Sequence, residues 1–297
     1  LSLRDPALVT RFTAERLWET QPHLRTVVAF RARNVAQLGL HCYRRTRDGR
    51  ERDRTSPLAQ LLAFPNADMT SYELLFALIG DHDLYDTAYW IVLPDADRES
   101  GWELRRLPPS WVDPIKTTPW RNDAYQVQLG GRTVVVPADQ MMLFPGYDPA
   151  GSKDGSATVL ALRDTLVEQI ESSGYRRQLW RNGGRASAVI ERPADAPEWS
   201  AAAREAFRQD WYSLYTGSGP RAGGTPILED GMTLRKIDFS AQEQQYVDSV
   251  KLSLQTVASA FHVEPAMVGM GDGATYSNMR AFRKMLYTET LGPLLAE

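Results

Sequence analysis

The chain has 297 residues, with 34 Lys+Arg against 37 Asp+Glu, a net charge of -3, 43% hydrophobic and 24% charged residues. These fractions sit near the globular average and exclude a disordered tail, a collagen-like rod and a histone-like polycation, while the length predicts two or three compact units. The single Cys42 can form neither an internal disulfide nor a Cys-rich zinc site, so packing alone must hold the fold, and an intracellular assembly environment is expected.

No stretch approaches the roughly 18 consecutive apolar residues of a membrane span, and Arg4, Asp5, Arg11, Glu15 and Arg16 interrupt the N-terminal segment, so neither membrane nor export is indicated. The chain begins at Leu1 without an initiator Met and stops at Glu297 within an apolar pattern, which predicts a fragment of a longer protein. Residues 1–150 read as a mixed α/β body. Asn66 to Ser71 is a turn and cap cluster, and Tyr72, Leu75, Phe76 and Ile79 behind it predict an amphipathic helix over 71–82. The β-type runs Tyr89–Leu93, Ala124–Leu129 and Thr133–Val136, with Gly130-Gly131 as a hairpin signal, predict a small antiparallel sheet.

From Gly155 the pattern changes. Val159, Leu162, Leu166 and Ile170 predict a long helix over 157–181, about 37 Å at 1.5 Å per residue, with a bend at Ser172-Ser173-Gly174. A second long helix opens on the capping box Ser240-Ala241-Gln242-Glu243, carries the stripe Tyr246, Val250, Leu254, Val257 and Phe261, and stops at Pro265. Between the two lies a compact insert: a strand from Ala186 to Ile190, a helix with Ala203, Phe207, Trp211, Leu214 and Tyr215 on one face, and a hairpin of Thr225–Leu228 with Met232–Ile237. The simplest geometry is a knob held on a helical pair. Past Pro265 comes a flexible Gly- and Met-rich loop, Ala266 to Gly273. A helix with Tyr276, Met279, Phe282 and Leu286 follows, bearing Arg280, Arg283 and Lys284 on its other faces, and Gly292-Pro293 should kink or restart it.

Catalytic constellations are missing. His82 between Asp81 and Asp83 reads as a solvated helix end, because neighbours at i±1 point to different sides of a helix. Gly269-Met270-Gly271-Asp272-Gly273 follows a helix where a nucleotide fingerprint needs a strand, and no Gly-x-Ser-x-Gly or His-Glu-x-x-His is present. Nine Arg between positions 25 and 54 face only Asp48, Glu51 and Asp53, an excess that would attract phosphates; a solvated hairpin edge with intersubunit ion pairs is preferred, because Arg44 to Arg54 straddles the turn at Asp48-Gly49 and lacks aromatic interleaving. Arg176, Arg177, Arg181 and Arg185 suit a helix C-terminus. Trp180, Trp199, Trp211, Tyr212 and Tyr215 concentrate in and around the insert, more aromatic surface than so small a unit can bury alone, which predicts a packing partner or another copy of the chain.

The order of these features resembles the portal proteins of tailed bacteriophages, of the type common in siphoviruses. The likeness runs from about Leu61 to Glu297 through Leu61-Leu62-x-x-Pro65-Asn66, Ala88-Tyr89, Gly155-Ser156, Asn182-Gly183, Leu228-x-x-Gly231-Met232, Val257-Ala258-x-Ala260-Phe261-x-Val263-x-Pro265 with Met267-x-Gly269, Tyr276-Ser277-Asn278 and Thr290-Leu291-x-Pro293. The chain departs from the family pattern at Asp86-Thr87 (usually Gly-Asn), Trp180 (usually Phe) and Val263-Glu264-Pro265 (usually Val-Pro-Pro).

The resemblance implies an α+β portal fold: a wing over 1–150, stem helices over 151–182 and 240–263, an α/β clip over 183–239, a tunnel loop over 264–275 and, over 276–297, a helix leading toward a truncated crown. It implies a non-enzymatic, cofactor-free subunit of a ring, typically a dodecamer, at one vertex of the virion capsid, assembled in the host cytoplasm. Its implied partners are double-stranded DNA without sequence preference, the terminase large subunit, the major capsid and scaffold proteins and a head-tail adaptor, with no membrane. Met267, Val268, Gly269, Met270, Gly271, Asp272 and Gly273 then line the channel, Arg280, Arg283 and Lys284 are candidates for a basic ring in it, and Trp199, Arg204, Arg208, Trp211 and Tyr215 are candidates for motor or adaptor docking. Two rival readings are a DNA-processing enzyme whose metal is held by carboxylates such as Asp81 and Asp83, and a non-phage scaffold protein whose aromatic insert binds a helix or peptide.

Overall fold

A computed structural model of the chain describes residues 13–118, 121–149, 157–181, 188–193, 198–215, 228, 231–236, 253–270 and 276–296. The chain divides into two compact units, one built from residues 1–164 and 254–297, the other from 165–253.

The described part of the first unit opens with two helices that the sequence patterns above do not predict, α1 (Ala14–Thr20) and α2 (Pro22–Ala36). Their start signals are local. The Thr13 side chain accepts from Arg16 N at the first, and Pro22 takes the first position of the second, where a missing N–H costs nothing. Leu24, Val27, Val28, Ala32 and Val35 make α2 a buried helix. A two-stranded hairpin follows, β1 (Cys42–Thr46) with β2 (Gly49–Asp53), then α3 (Pro57–Ala63) and α4 (Ser71–Tyr85). The helix predicted over 71–82 is therefore present and one turn longer. Thr70 and Glu73 close its start reciprocally: Thr70 Oγ1 accepts from Glu73 N at 3.2 Å and Glu73 Oε2 accepts from Thr70 N at 2.8 Å. These bonds hold the Glu73 carboxyl below its usual range.

The predicted small sheet is two sheets. One has the order β4 (Trp102–Leu107), β3 (Thr87–Pro94), β8 (Met141–Pro145); the other runs β5 (Val112–Thr118), β6 (Arg121–Leu129), β7 (Arg132–Pro137), and all pairs are antiparallel. The Gly130-Gly131 hairpin joins β6 to β7 as expected, with Leu129 opposite Arg132. What the runs did not reveal is that β3 and β6 belong to different layers. Strand alternation explains the arrangement: Tyr89 and Ile91 of β3 pack on Val112, Tyr125, Val127 and Val136 of the second sheet, while Trp90 packs with Leu61, Leu74, Leu75 and Leu104 toward the helices. Tyr89 meets Tyr125 edge-on at 5.8 Å between ring centroids, and Trp90 meets Phe144 edge-on at 5.0 Å.

Pro65-Asn66, part of the family-like motif, extends this first sheet without being a strand. Leu104 N donates to Pro65 O at 2.8 Å and Asn66 Nδ2 donates to Leu104 O at 2.7 Å, while Asn66 Oδ1 accepts from Asp68 N at 2.9 Å and Met69 N at 2.8 Å. One buried amide thus joins the edge strand β4 to the turn that launches α4.

Further along, the long helix expected over 157–181 is broken at Leu162 into α5 (Thr158–Ala161) and α6 (Arg163–Arg181), and Ser172-Ser173-Gly174 lies within continuous helix. The break falls at the unit's edge, where Val159 and Leu162 are buried. In the second unit, β9 (Ala188–Glu191) pairs antiparallel with β10 (Thr233–Lys236), and α7 (Ala201–Tyr215) is the predicted amphipathic helix. The expected partner of β10, residues 225–228, lies outside the described residues except Leu228, which is not in a strand. Of the second long helix, residues 253–260 are helical and 240–252 lie outside the described residues. The chain returns to the first unit and continues through α8 (Tyr276–Met285), a π-helical turn Leu286–Leu291 and α9 (Gly292–Ala296), so the helix restarts at Gly292-Pro293 as expected.

Replacing Asn66 with Ala should lower stability by about 2–4 kcal/mol, since it strands up to three backbone groups. Denaturant unfolding measures this, and a loss below about 0.5 kcal/mol would show that the amide is not the tie.

Candidate functional site

The segment that the sequence marks as a channel loop begins where helix 253–260 ends. Phe261 and Val263 are buried, and the chain reverses through His262 at φ 55°, a left-handed turn usually given to glycine. Val263 N donates to Ala258 O at 2.8 Å and closes this end. The last carbonyls are capped from elsewhere. Arg31 of α2 donates from Nη1 to Phe261 O at 3.2 Å and lies over the Phe261 ring at 5.5 Å, and Thr290 of the π-turn donates from Oγ1 to His262 O. A guanidinium at a helix C-terminus meets the negative end of the helix dipole.

Arg31 is held by a second group: its Nη2 lies 3.3 Å from Asp83 Oδ1 of α4, with only 11% and 2% of the two side chains exposed. Compensation is incomplete, because Arg31 Nε and Asp83 Oδ2 are buried without a hydrogen bond. Burial therefore wins over the pull of Arg31 and pushes the Asp83 carboxyl up to about 7, with the Asp86 carboxylate adding to the rise. Asp81, two residues away, faces a different partner. Arg106 of β4 grips it with two hydrogen bonds of 2.6 Å, yet burial still raises its pKa. The solvated helix end expected around His82 is thus corrected: Asp81 and Asp83 are internal ties from α4 to β4 and α2. Among the described residues no group of three or more His, Cys, Asp or Glu could hold a metal ion.

Beyond Val263 the loop reading needs revision in its first half. Pro265–Val268 is a 3₁₀ turn, and Met267 packs on the cluster of Ala32, Val35, Ile79, Leu286 and Leu291. Met267 and Val268 are half-buried and anchored, because the turn continues from a capped helix end into an apolar cluster. Gly269 then takes φ 113°, a conformation that needs glycine, and Met270 N donates back to Pro265 O at 3.1 Å. Gly271, Asp272 and Gly273 lie outside the described residues.

On α8 the residues Arg280, Arg283 and Lys284 are all exposed, three and four positions apart and so on one face, while Met279 and Phe282 are half-buried on another. The π-turn then brings Leu286, Thr290 and Leu291 into the core. The basic triad and the anchored turn therefore belong to one unit. The docking candidates belong to the other: Trp199 and Phe207 lie 4.9 Å apart, Phe207 and Trp211 5.9 Å apart, and the Arg192 guanidinium sits 4.5 Å over Trp199. Ser200 caps this helix through Ala203 N at 3.1 Å. Arg204 and Arg208 are exposed, with Glu205 at 3.7 Å from Arg208; Tyr215 is the last residue of α7, its side chain outside the described part.

A family model described as phage portal protein matches residues 22–297. The chain belongs to the phage portal protein family. Among relatives, an uncharacterised protein of Rickettsia bellii is 25% identical over 247 residues, 80% of this chain and 62% of the relative, and a probable portal protein of Streptomyces phage phiC31 is 24% identical over 159 residues, 52% and 33% respectively. This portal-family chain thus spans under two thirds of the length of these relatives. Among solved structures, the neck of an empty gene transfer agent particle, computed with C6 symmetry, aligns with TM-score 0.68 at 23% identity over 99% of this chain and 79% of the other. An HK97-family phage portal protein from Corynebacterium diphtheriae aligns with TM-score 0.64 at 15% identity over 93% and 84%. The α+β portal fold inferred from the sequence is the fold the chain has.

Asp83 carries a pH signature. Its folded pKa of about 7 lies above the ordinary 3.8, so the folded state holds the proton more tightly, and this stability is full below about 4 and is lost as pH rises toward 7. The D83N variant lacks this titration. Comparison of urea midpoints at pH 4 and pH 7.5 should move in favour of the variant as pH rises; a constant difference would mean Asp83 is charged throughout.

Proposed function

We propose that the chain is a structural, non-enzymatic portal subunit that assembles into a ring, twelve copies in the commonest family form, around double-stranded DNA at one capsid vertex. The observation that carries this reading is the portal family match over residues 22–297. In it, 1–150 is the wing, 151–182 and 240–263 are the stem helices, 183–239 is the clip that docks the terminase large subunit and later a head-tail adaptor, and 264–275 lines the tunnel. The major capsid and scaffold proteins meet the ring during assembly in the host cytoplasm, and the finished ring resides in the virion.

The charge balance suits a conduit. Twelve copies at -3 carry -36, and many phosphate contacts would hold DNA and oppose its movement. Attraction within the channel must then be local, with Arg280, Arg283 and Lys284 as candidates for it. The anchored turn at Pro265–Val268 gives the first half of the proposed tunnel loop a fixed root.

Electron micrographs of the purified protein under assembly-promoting conditions should show rings with a central opening, and a uniform monomer would overturn the reading. Replacing residues 186–237 with a short linker should leave ring formation intact and abolish terminase binding; unchanged binding would remove the clip assignment.

A further inference from the structure

The hairpin β1–β2 has two faces of opposite electrostatic design. Directly opposed residues of an antiparallel pair share a face, so Cys42/Asp53, Arg44/Glu51 and Thr46/Gly49 lie on one side, and Tyr43/Arg52 and Arg45/Arg50 on the other. On the first side the charge is answered within the hairpin. Asp53 lies 3.6 Å from Arg44, accepts from Thr55 N and Ser56 N at 3.0 and 3.1 Å, and Glu51 stands opposite the same arginine.

On the second side the described residues offer no counter-charge. Arg45, Arg50 and Arg52 are all exposed, and no carboxylate among the described residues pairs with any of them. Arg52 donates to His41 Nδ1 at 2.9 Å, a partner that leaves its charge in place. Arg45 directly opposite Arg50 is destabilising in the free hairpin, since like charges across a ladder repel. Tyr43, 55% exposed, completes this face, so the aromatic that the linear run lacked is supplied by register.

We propose that this face binds the phosphodiester backbone of duplex DNA, at a site separate from the tunnel loop. Three arginines rooted about 7 Å apart along a strand and about 5 Å apart across the ladder, measured at Cβ, supply fork-shaped donors suited to successive phosphates. A protein partner fits less well, because interface cores are depleted in charge, and here three of four side chains are arginine with no apolar centre. Tyr43 offers a hydroxyl to phosphate or sugar and a flat ring beside them. The site reads no sequence, and it does not require that the chain form a ring.

The test uses the full chain and a fluorescein-labelled 30-base-pair duplex, with anisotropy measured across a salt series. The double variant R45Q/R50Q should weaken binding about tenfold or more at low salt and flatten the slope of log K against log salt by about 2, one unit for each lost phosphate contact. R44Q on the compensated face should change affinity less than threefold, and the triple variant R280Q/R283Q/K284Q reports any contribution of α8 separately. Unchanged affinity and slope in R45Q/R50Q would overturn the proposal. So would Arg45- and Arg50-dependent binding of a polyglutamate peptide with no binding of the duplex, which would assign the face to an acidic protein, or a change in oligomer size with duplex affinity retained, which would assign it to a second copy of the chain. Ring failure in micrographs, with duplex binding still lost in the variant, would leave this site standing while removing the ring.

Discussion

The first unit depends on the way a single guanidinium terminates a helix. Arg31 rises from α2, donates to the Phe261 carbonyl, covers the Phe261 ring and meets the Asp83 carboxylate of α4. Three segments far apart in the sequence converge on one side chain with almost no access to water. Such a node is costly to desolvate and more costly to break on one side, because the surviving charge would have no solvent to turn to. Its value is in direction: it fixes where helix 253–260 stops, and hence where the turn that follows begins.

Asp81 and Asp83 show how two carboxylates two residues apart serve different ties. Their side chains leave α4 toward different neighbours, one reaching the strand layer through Arg106 and the other the helix layer through Arg31. Both are buried, so the cluster that looks like a hydrophilic helix end in one dimension is a pair of internal fasteners in three. The metal-site rival built on these two carboxylates loses its structural basis here, since each already has an arginine partner.

Much of the fold was legible where the information is local. The capping box at Thr70, the glycine pair between β6 and β7, the stripe of α7 and the restart at Gly292-Pro293 are all written within a few residues of where they act. The division of strands between two sheets was not, because Tyr89, Trp90 and Ile91 form one continuous apolar run whose two-sided use appears only when partners are known. The helices α1 and α2 were missed although Thr13 and Pro22 mark their starts, and Leu24, Val27, Val28, Ala32 and Val35 carry helical spacing in α2. Among the candidate residues, the exposure of Arg280, Arg283 and Lys284 followed from helical spacing. The anchorage of Met267 did not, since it arises from Leu286 and Leu291 some twenty residues on.

Because β3 is a wall shared by two rooms, its alternating side chains obey two separate sets of steric rules. Tyr89 and Ile91 face the cluster that includes the second sheet, Trp90 faces the helices, and the peptide ladder to β4 and β8 binds both sets into one strand. A substitution at Tyr89 or Ile91 therefore strains the contact with the second sheet, and one at Trp90 strains the contact with the helices, so each layer can be perturbed from β3 separately.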